Sequence, residues 1–500
     1  MPRTSQAASA ASVSPAAQTA RELVGKRVAV LGLGKSGRAA LAALREIGAT
    51  VVPVDDAVQE PGVVPGPALD LGSIDLVVAS PGWFPQVEPL AGALAAGIEV
   101  WSEVELAWRL RARPDAYWLG VTGTNVKTTV TGMTTAILRA AGLNAVAAGN
   151  VGTPLVDVAR DPQWDALVCE LSSFQLAFTG TVAPRAAVIL NIAQDHIDWH
   201  GSFAEYAQAK SRIFRHVRRC AIVPDAGLPR SLATGRPLGA GLATLASPPG
   251  PGQVGVRDGA IYDRVAWPAS DGPTSDTAAA VGEPGTELVR LDRLTGLAGP
   301  DGRLAPHLVS DAVAAAALAR AGGVDARAVA LGLGGFSVGP HRVETVAQAG
   351  GITYVDDSKA TNAHAAAASL ASFPDGRVVW IAGGLAKGAV FDRLVEEIRP
   401  KLRGVVLIGR DASPWRTALD RHAPDIPRAE VAPTDTEVMR SAVARARSLA
   451  RPGDTVLLAP AAASMDQFRD YAERGDAFAA AARALGDRGA DTGQGAGQEG

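Results

Sequence analysis

Cysteine is nearly absent. The 500-residue chain carries two, Cys169 and Cys220, too few for a disulfide framework or for the Cys clusters of zinc and iron–sulfur centres. Excess charge of either sign is also missing: 48 basic residues stand against 51 acidic ones, a formal net charge of −3. Nothing in that balance draws the chain onto nucleic acid or an anionic membrane. No apolar run reaches about 18 residues, which argues against a transmembrane helix. The first 20 residues, MPRTSQAASAASVSPAAQTA, lack a compact apolar segment and read as a disordered tail rather than a signal peptide. Residues 486–500, GDRGADTGQGAGQEG, read as a second tail. The sparse cysteine fits a reducing cytoplasm.

What is present is a regular alternation of strand-like and helix-like segments, the pattern of an α/β protein with mostly parallel sheets. The length suits two to four domains, and three are expected. In the first, residues 21–114, RVAVLGLG (27–34), ATVVPVDD (49–56) and IDLVVASPG (74–82) are buried strands. In the second, residues 115–338, AYWLGVTGTNVKTT (116–129), DALVCELSS (165–173) and APRAAVILNIAQDHID (183–198) contain strands. A Pro/Gly-rich stretch from about 225 to 305 holds GVRDGAIYDRV, with an Asp-Gly hairpin signal. The third, residues 339–485, contains ITYVDDS, RVVWIAGG, GVVLIGR and DTVLLAP. No short internal repeat occurs.

Four constellations carry chemistry. Gly32, Gly34 and Gly37 follow a strand and open a helix, with Asp55 and Asp56 ending the next strand. This is the glycine fingerprint in its structural context: the glycines admit a diphosphate to the backbone, the helix N-terminus favours its charge, and the acid would hold a ribose. Alone it fits a nicotinamide or flavin enzyme, or a tight turn without ligand. Gly123, Thr124, Asn125, Val126, Lys127, Thr128 and Thr129 form a second strand–loop–helix turn. Its amides would cradle phosphates, Lys127 would offset their charge and Thr128 would ligate Mg²⁺. Such loops place glycine before the lysine, and here Val126 stands there. Glu170 at a strand end, His196 in QDHID and Lys210 in YAQAKSRIF make a third set. Glu170 stands where a metal-linked carboxylate usually does, while two of the three also have an ordinary reading: a loop histidine for His196, a solvated helix face for Lys210. The fourth is GPHRVE (339–344) with YVDDSKATN (354–362), where charges and hydroxyls gather after a strand, the place of the ligand crevice in open α/β sheets.

Taken in order, GTNVKTT, ELSSFQL, NIAQDHID, Lys210, GPHRVE, DDSKATN, AGGLAKGA and ASMDQF resemble the ATP-dependent Mur ligases over about residues 25–480. ELSSFQL and DDSKATN are similar to the branch that joins D-glutamate to UDP-N-acetylmuramoyl-L-alanine in peptidoglycan synthesis. The resemblance implies a Rossmann-like first domain, a P-loop-type ATPase domain and a Rossmann-like third domain. It gives the glycine fingerprint to the uridine diphosphate, with Ser80, Pro81, Gly82 and Asn150 as further substrate contacts. It assigns ATP to the 123–129 loop with Arg342, Asp357 and Lys359, and D-glutamate to Thr361, Lys387, Ser464 and Tyr471. It makes Lys210 a carbamylated lysine that holds Mg²⁺ with Thr128, Glu170 and His196. A cytoplasmic monomer, bound to neither nucleic acid nor membrane, is implied. Leu308 and Asp311 stand where the family usually has asparagines near adenine. With Val126, they motivate the alternative of an ATP-site-impaired paralogue that binds the UDP-sugar peptide without efficient ligation. A nicotinamide-dependent dehydrogenase is the other alternative.

Overall fold

The computed structural model describes residues 14–225, 227–233, 238–267, 285–298 and 302–490. Within these, three sheets carry the fold. The first has strand order Thr50–Val54, Arg27–Leu31, Leu76–Ala79, Glu99–Ser102, all parallel. The second runs from Ala145–Gly149 through Ala166–Glu170, Tyr117–Thr122, Ala186–Ile189, Cys220–Pro224, Leu238–Leu242 and Gln253–Arg257 in parallel, then turns antiparallel at Ala260–Asp263 and Thr286–Arg290. The third is ordered Glu344–Ala349, Ile352–Asp356, Thr455–Leu458, Val378–Gly383, Leu402–Ile408, Arg428–Glu430, antiparallel only in its first pairing. The mixed, mostly parallel α/β class is therefore the one expected. Its cause is visible in the strands: Leu76–Ala79, Ala186–Ile189 and Val378–Gly383 are buried at every position, as a sheet covered on both faces requires.

The Asp-Gly hairpin forms. Asp258 and Gly259 take φ of 49° and 73° between the antiparallel strands Gln253–Arg257 and Ala260–Asp263, the left-handed pair that such a turn needs.

The tails are shorter than expected. A helix, Pro15–Leu23, begins inside the stretch read as N-terminal tail; Ser14 caps it and Leu23 is buried. The other end is helical from Tyr471 to Ala490, five residues into the stretch read as C-terminal tail. Residues 1–13 and 491–500 lie outside the described ones.

The division into units also differs. The first two sheets fall in one compact unit, the described residues up to 294 with 309–336; 295–308 join 337 onward in a second. The stretch 295–308, expected within 115–338, is thus grouped with the later residues in this division. Side chains stitch the first unit across residue 115. The Trp108 and Trp118 rings meet edge to face at 5.1 Å. Glu105 accepts hydrogen bonds from Gly180 N and Thr181 N at 2.8 and 2.9 Å.

Glu103 adds a pH-sensitive element to the same seam. It is buried, its Oε1 accepts from Val156 N at 2.7 Å, and its Oε2 has no partner. Burial pushes its pKa up to about 7, against the pull of the Val156 and Leu155 amides. A carboxyl whose folded pKa is raised binds more protons folded than unfolded, so stability falls as pH rises from about 4.5 towards 7. The loss approaches about 3 kcal/mol above pH 7. Glu103→Gln, which keeps the acceptor and removes the charge, should flatten this slope. Thermal unfolding from pH 5.5 to 8.5 tests it; parallel slopes for both proteins would refute it.

Candidate active site

In the first sheet, Gly32 has φ 85°, and a Cβ on Gly37 would lie 1.8 Å from Gly32 O. Glycine is thus required at both: one for its backbone angle, one because the helix packs directly on the turn. Ser80 Oγ donates to Gly32 O at 3.0 Å, joining the Ser80–Gly82 loop to the glycine turn. Asp55 was expected to take a ribose. Its carboxylate instead accepts from Leu33 N at 2.7 Å, Ala57 N at 2.8 Å and Val58 N at 3.0 Å, and these bonds, Leu33 foremost, lower its pKa. These three bonds shape the loop and fix the carboxylate beside the glycine turn.

The phosphate loop lies at the C-terminal end of Tyr117–Thr122 and opens the helix Lys127–Ala140. Val126 takes φ 59°, ψ 4°, a left-handed conformation, one residue before that helix. Loop amides are gathered by a side chain the sequence reading passed over: Asn191 Oδ1 accepts from Thr124 N at 3.0 Å and Asn125 N at 2.9 Å. Lys127 Nζ donates to Gly123 O and Thr124 O, both at 3.0 Å, so its ammonium lies folded over the loop.

The third set converges on the same loop. Lys210 is 2% exposed, which removes the solvated-face reading. Its Nζ donates to Gly123 O at 2.8 Å and lies 4.8 Å from the Tyr206 ring centroid. Burial, then repulsion from Lys127, lowers its pKa well below that of a free lysine, against the pull of Asp195 and Glu170. Tyr206, four residues earlier on the same helix, bonds Thr124 Oγ1 at 2.8 Å; that spacing was legible and went unread. Glu170 is buried at the end of its strand. Its Oε1 accepts from Asn150 Nδ2 at 2.9 Å, while Oε2 is buried without a partner. A buried carboxylate oxygen left unpaired is costly and is the donor a divalent cation takes. His196 opens the helix Ile197–His200 with φ 52°, its ring 4.6 Å from that of Phe174. His200, also unforeseen, bonds Ser173 Oγ at 2.9 Å; burial pushes its pKa down to about 4.

In the second unit the two charged motifs fold onto each other. His341 Nδ1 meets Asp356 Oδ2 at 2.7 Å, and His341 N donates to Glu344 at 3.0 Å. Asp357 is buried and its pKa pushed up to about 7 by desolvation, opposed by Ser369 and Arg342. The Lys359 ammonium lies 3.8 Å from the Tyr471 ring centroid. Thr361 follows Ile352–Asp356, Lys387 follows Val378–Gly383, and Ser464 and Tyr471 follow Thr455–Leu458. These strands are parallel neighbours, so the four expected D-glutamate residues share one sheet edge. Leu385 N donates to Ala463 O at 2.8 Å, tying the Lys387 and Ser464 segments together.

Residues 121–228 match the Mur ligase middle domain, and residues 341–462 match the Mur ligase glutamate ligase domain. The UDP-N-acetylmuramoylalanine–D-glutamate ligase of Thermobifida fusca is 47% identical, covering 93% of this chain and 99% of the relative. The chain belongs to the Mur ligase family. The ligase of the same name from Streptomyces avermitilis is 45% identical, over 92% of this chain and 99% of its own. Among solved structures, a pseudomurein peptide ligase type C from Methanothermus fervidus aligns with TM-score 0.53 at 18% identity, over 87% and 96% of the two chains. A UDP-N-acetylmuramate–alanine ligase from Thermotoga maritima aligns at 0.51 and 16%, over 93% and 99%. At such identities these two show the shared Mur ligase fold alone.

Proposed function

We infer that the chain is an ATP-dependent ligase that adds D-glutamate to UDP-N-acetylmuramoyl-L-alanine in peptidoglycan synthesis. The observation that carries this is the 45–47% identity, over almost the full length of each chain, to ligases of that name. The unbroken phosphate loop, apart from Val126, and the buried Glu170 and Lys210 beneath it support it. We assign residues 21–114 to the uridine nucleotide, 115–338 to ATP, and 339–485 to the amino acid.

The reaction starts from an alanine carboxylate, a poor electrophile. Its oxygen attacks the γ-phosphate of ATP, ADP leaves, and an acyl phosphate forms. The D-glutamate amine then attacks the acyl carbon, phosphate departs and the amide remains. Lys127 and the amides held by Asn191 offset charge on the transferring phosphoryl group. Gly123, Thr124, Asn125 and Thr129 complete that cradle, and Arg342, Asp357 and Lys359 are further proposed ATP-binding residues. Gly32, Gly34, Gly37, Asp55, Ser80, Pro81, Gly82 and Asn150 serve the uridine-linked substrate. Thr361, Lys387, Ser464 and Tyr471 serve D-glutamate.

Mg²⁺, when bound, supplies Lewis-acid charge at the phosphates. The unpaired Oε2 of Glu170 fits it, and Thr128, His196 and Lys210 are the remaining proposed ligands. Burial shifts Lys210 towards the neutral amine, the form that attacks CO₂. Carbamate formation releases a proton and turns a would-be cation into an anion, the sign a metal site requires. The reaction draws on ATP and a nucleotide-linked sugar, and we place the enzyme as a monomer in the cytoplasm.

A dehydrogenase would bind NAD at the glycine turn; this reading requires uridine diphosphate there. Calorimetry should show UDP binding more tightly than NAD. Micromolar NAD binding with no UDP binding would overturn the assignment.

A further inference from the structure

Two hydrogen bonds connect the loop beside the glycine turn to the turn that carries His196. Trp199 Nε1 donates to Trp83 O at 3.0 Å, and Gln86 Nε2 donates to Trp199 O at 3.0 Å. The two bonds run in opposite directions between the same pair of segments, one on the Trp199 side chain and one on its backbone. Trp199 is 4% exposed, and its ring lies 4.9 Å from Phe174, whose own ring is 4.6 Å from His196. On the other side, Trp83 N donates to Ser80 O at 3.1 Å, and Ser80 Oγ reaches Gly32 O. A continuous chain of bonds and ring contacts thus runs from Gly32 through Ser80, Trp83, Trp199 and Phe174 to His196. All of it lies within the first compact unit.

We propose that this Trp83–Gln86–Trp199 clamp couples occupancy of the uridine-nucleotide loop to the His196 turn, so that the two substrates bind this unit cooperatively. The inference rests on the function proposed above and adds Trp199 and Gln86 as positioning residues. Neither has to touch a ligand. When a diphosphate orders the 80–83 loop, Trp83 O is fixed, and with it Trp199 and the start of the helix Ile197–His200. Ordering one end lowers the entropy lost at the other, which is positive coupling. By linkage the effect is reciprocal.

The test is calorimetry of a non-hydrolysable ATP analogue with Mg²⁺, with and without saturating UDP-N-acetylmuramoyl-L-alanine. In the unaltered chain the uridine substrate should tighten analogue binding. Trp199→Phe keeps a ring against Phe174 and removes the indole donor; Gln86→Met removes the reciprocal one. A net hydrogen bond corresponds to roughly 2- to 12-fold in an equilibrium, so each variant should lose about that much of the coupling factor. Affinity for the uridine substrate alone, and for the analogue alone, should stay within about twofold, since both donors are spent on bonds within the protein. A merely structural role would weaken both single affinities and leave their ratio unchanged, and that result would overturn the proposal. So would full coupling in both variants, or none in the unaltered chain. Failure of the unaltered chain to bind the uridine substrate at all would instead count against the proposed function.

Discussion

Replacing Val126 with glycine should tighten ATP binding by roughly 5- to 100-fold, the equivalent of about 1–2.7 kcal/mol. The loop places this residue at φ 59°, ψ 4°, immediately before the helix Lys127–Ala140. A β-branched side chain in that region is strained by on the order of 1–3 kcal/mol. The strain exists before any nucleotide arrives, so its relief should appear first as stability of the unliganded protein. Glycine also frees the unfolded chain, which offsets about 1 kcal/mol of that gain. The affinity gain has a separate basis: glycine leaves more room than valine for a phosphate oxygen to approach the main chain. Uridine-nucleotide affinity should not change, because its glycine turn belongs to another sheet. Calorimetry with an ATP analogue and thermal unfolding of the free protein separate the two effects. Should both be unaltered, the loop accommodates valine, and the impaired-paralogue alternative loses its main support.

Lys210→Ala should abolish ligation, a loss of at least about 100-fold, the scale on which removal of one preorganised charge acts. Lys210→Glu should retain a measurable part. The lysine is buried beneath the phosphate loop, bonded to Gly123 O, with its charged form disfavoured. A plain structural ammonium would be expected to pair with a carboxylate there. This amine bonds a carbonyl and lies over an aromatic face, and burial with a second lysine outweighs the pull of Asp195 and Glu170 on its charged form, which suits a group that becomes an anion. Glutamate supplies a shorter, fixed anion in the same place. Turnover measured with and without added bicarbonate checks the account: the unaltered enzyme should slow when CO₂ is stripped, and Lys210→Glu should not. Unchanged uridine-substrate binding in both variants would show that they fold. Near-normal turnover of Lys210→Ala would end the metal-anchor role.

Much of this was legible in the sequence because it is local. Parallel strands announce themselves as short buried apolar runs, and the glycine turns by spacing. The positive φ at Val126 follows from what a phosphate loop demands of its backbone. The parts that were missed depend on distant partners or weak periodicity. Asn191 acts on amides 66 and 67 residues away in the chain, and no spacing rule reports that. Asp55 also ties its own loop, and only the fold shows the three amides that reach its carboxylate. The helix Pro15–Leu23 hides in an Ala/Ser-rich stretch whose apolar content is too small to mark a face. Its Ser14-Pro15 start, a cap followed by a proline at the first helical position, was the signal available. The assignment of 295–308 to the second unit is a property of tertiary contacts and leaves no mark in composition.

The central claim is that this chain spends ATP to join D-glutamate to UDP-N-acetylmuramoyl-L-alanine. ADP release, followed with the uridine substrate and each glutamate enantiomer in turn, tests it most directly. Sustained ADP formation with both the uridine substrate and D-glutamate, and none above background when either is omitted or L-glutamate replaces the D form, is the predicted result. ADP release indifferent to D-glutamate, or its absence under all conditions with the Val126→Gly protein as well, would contradict it.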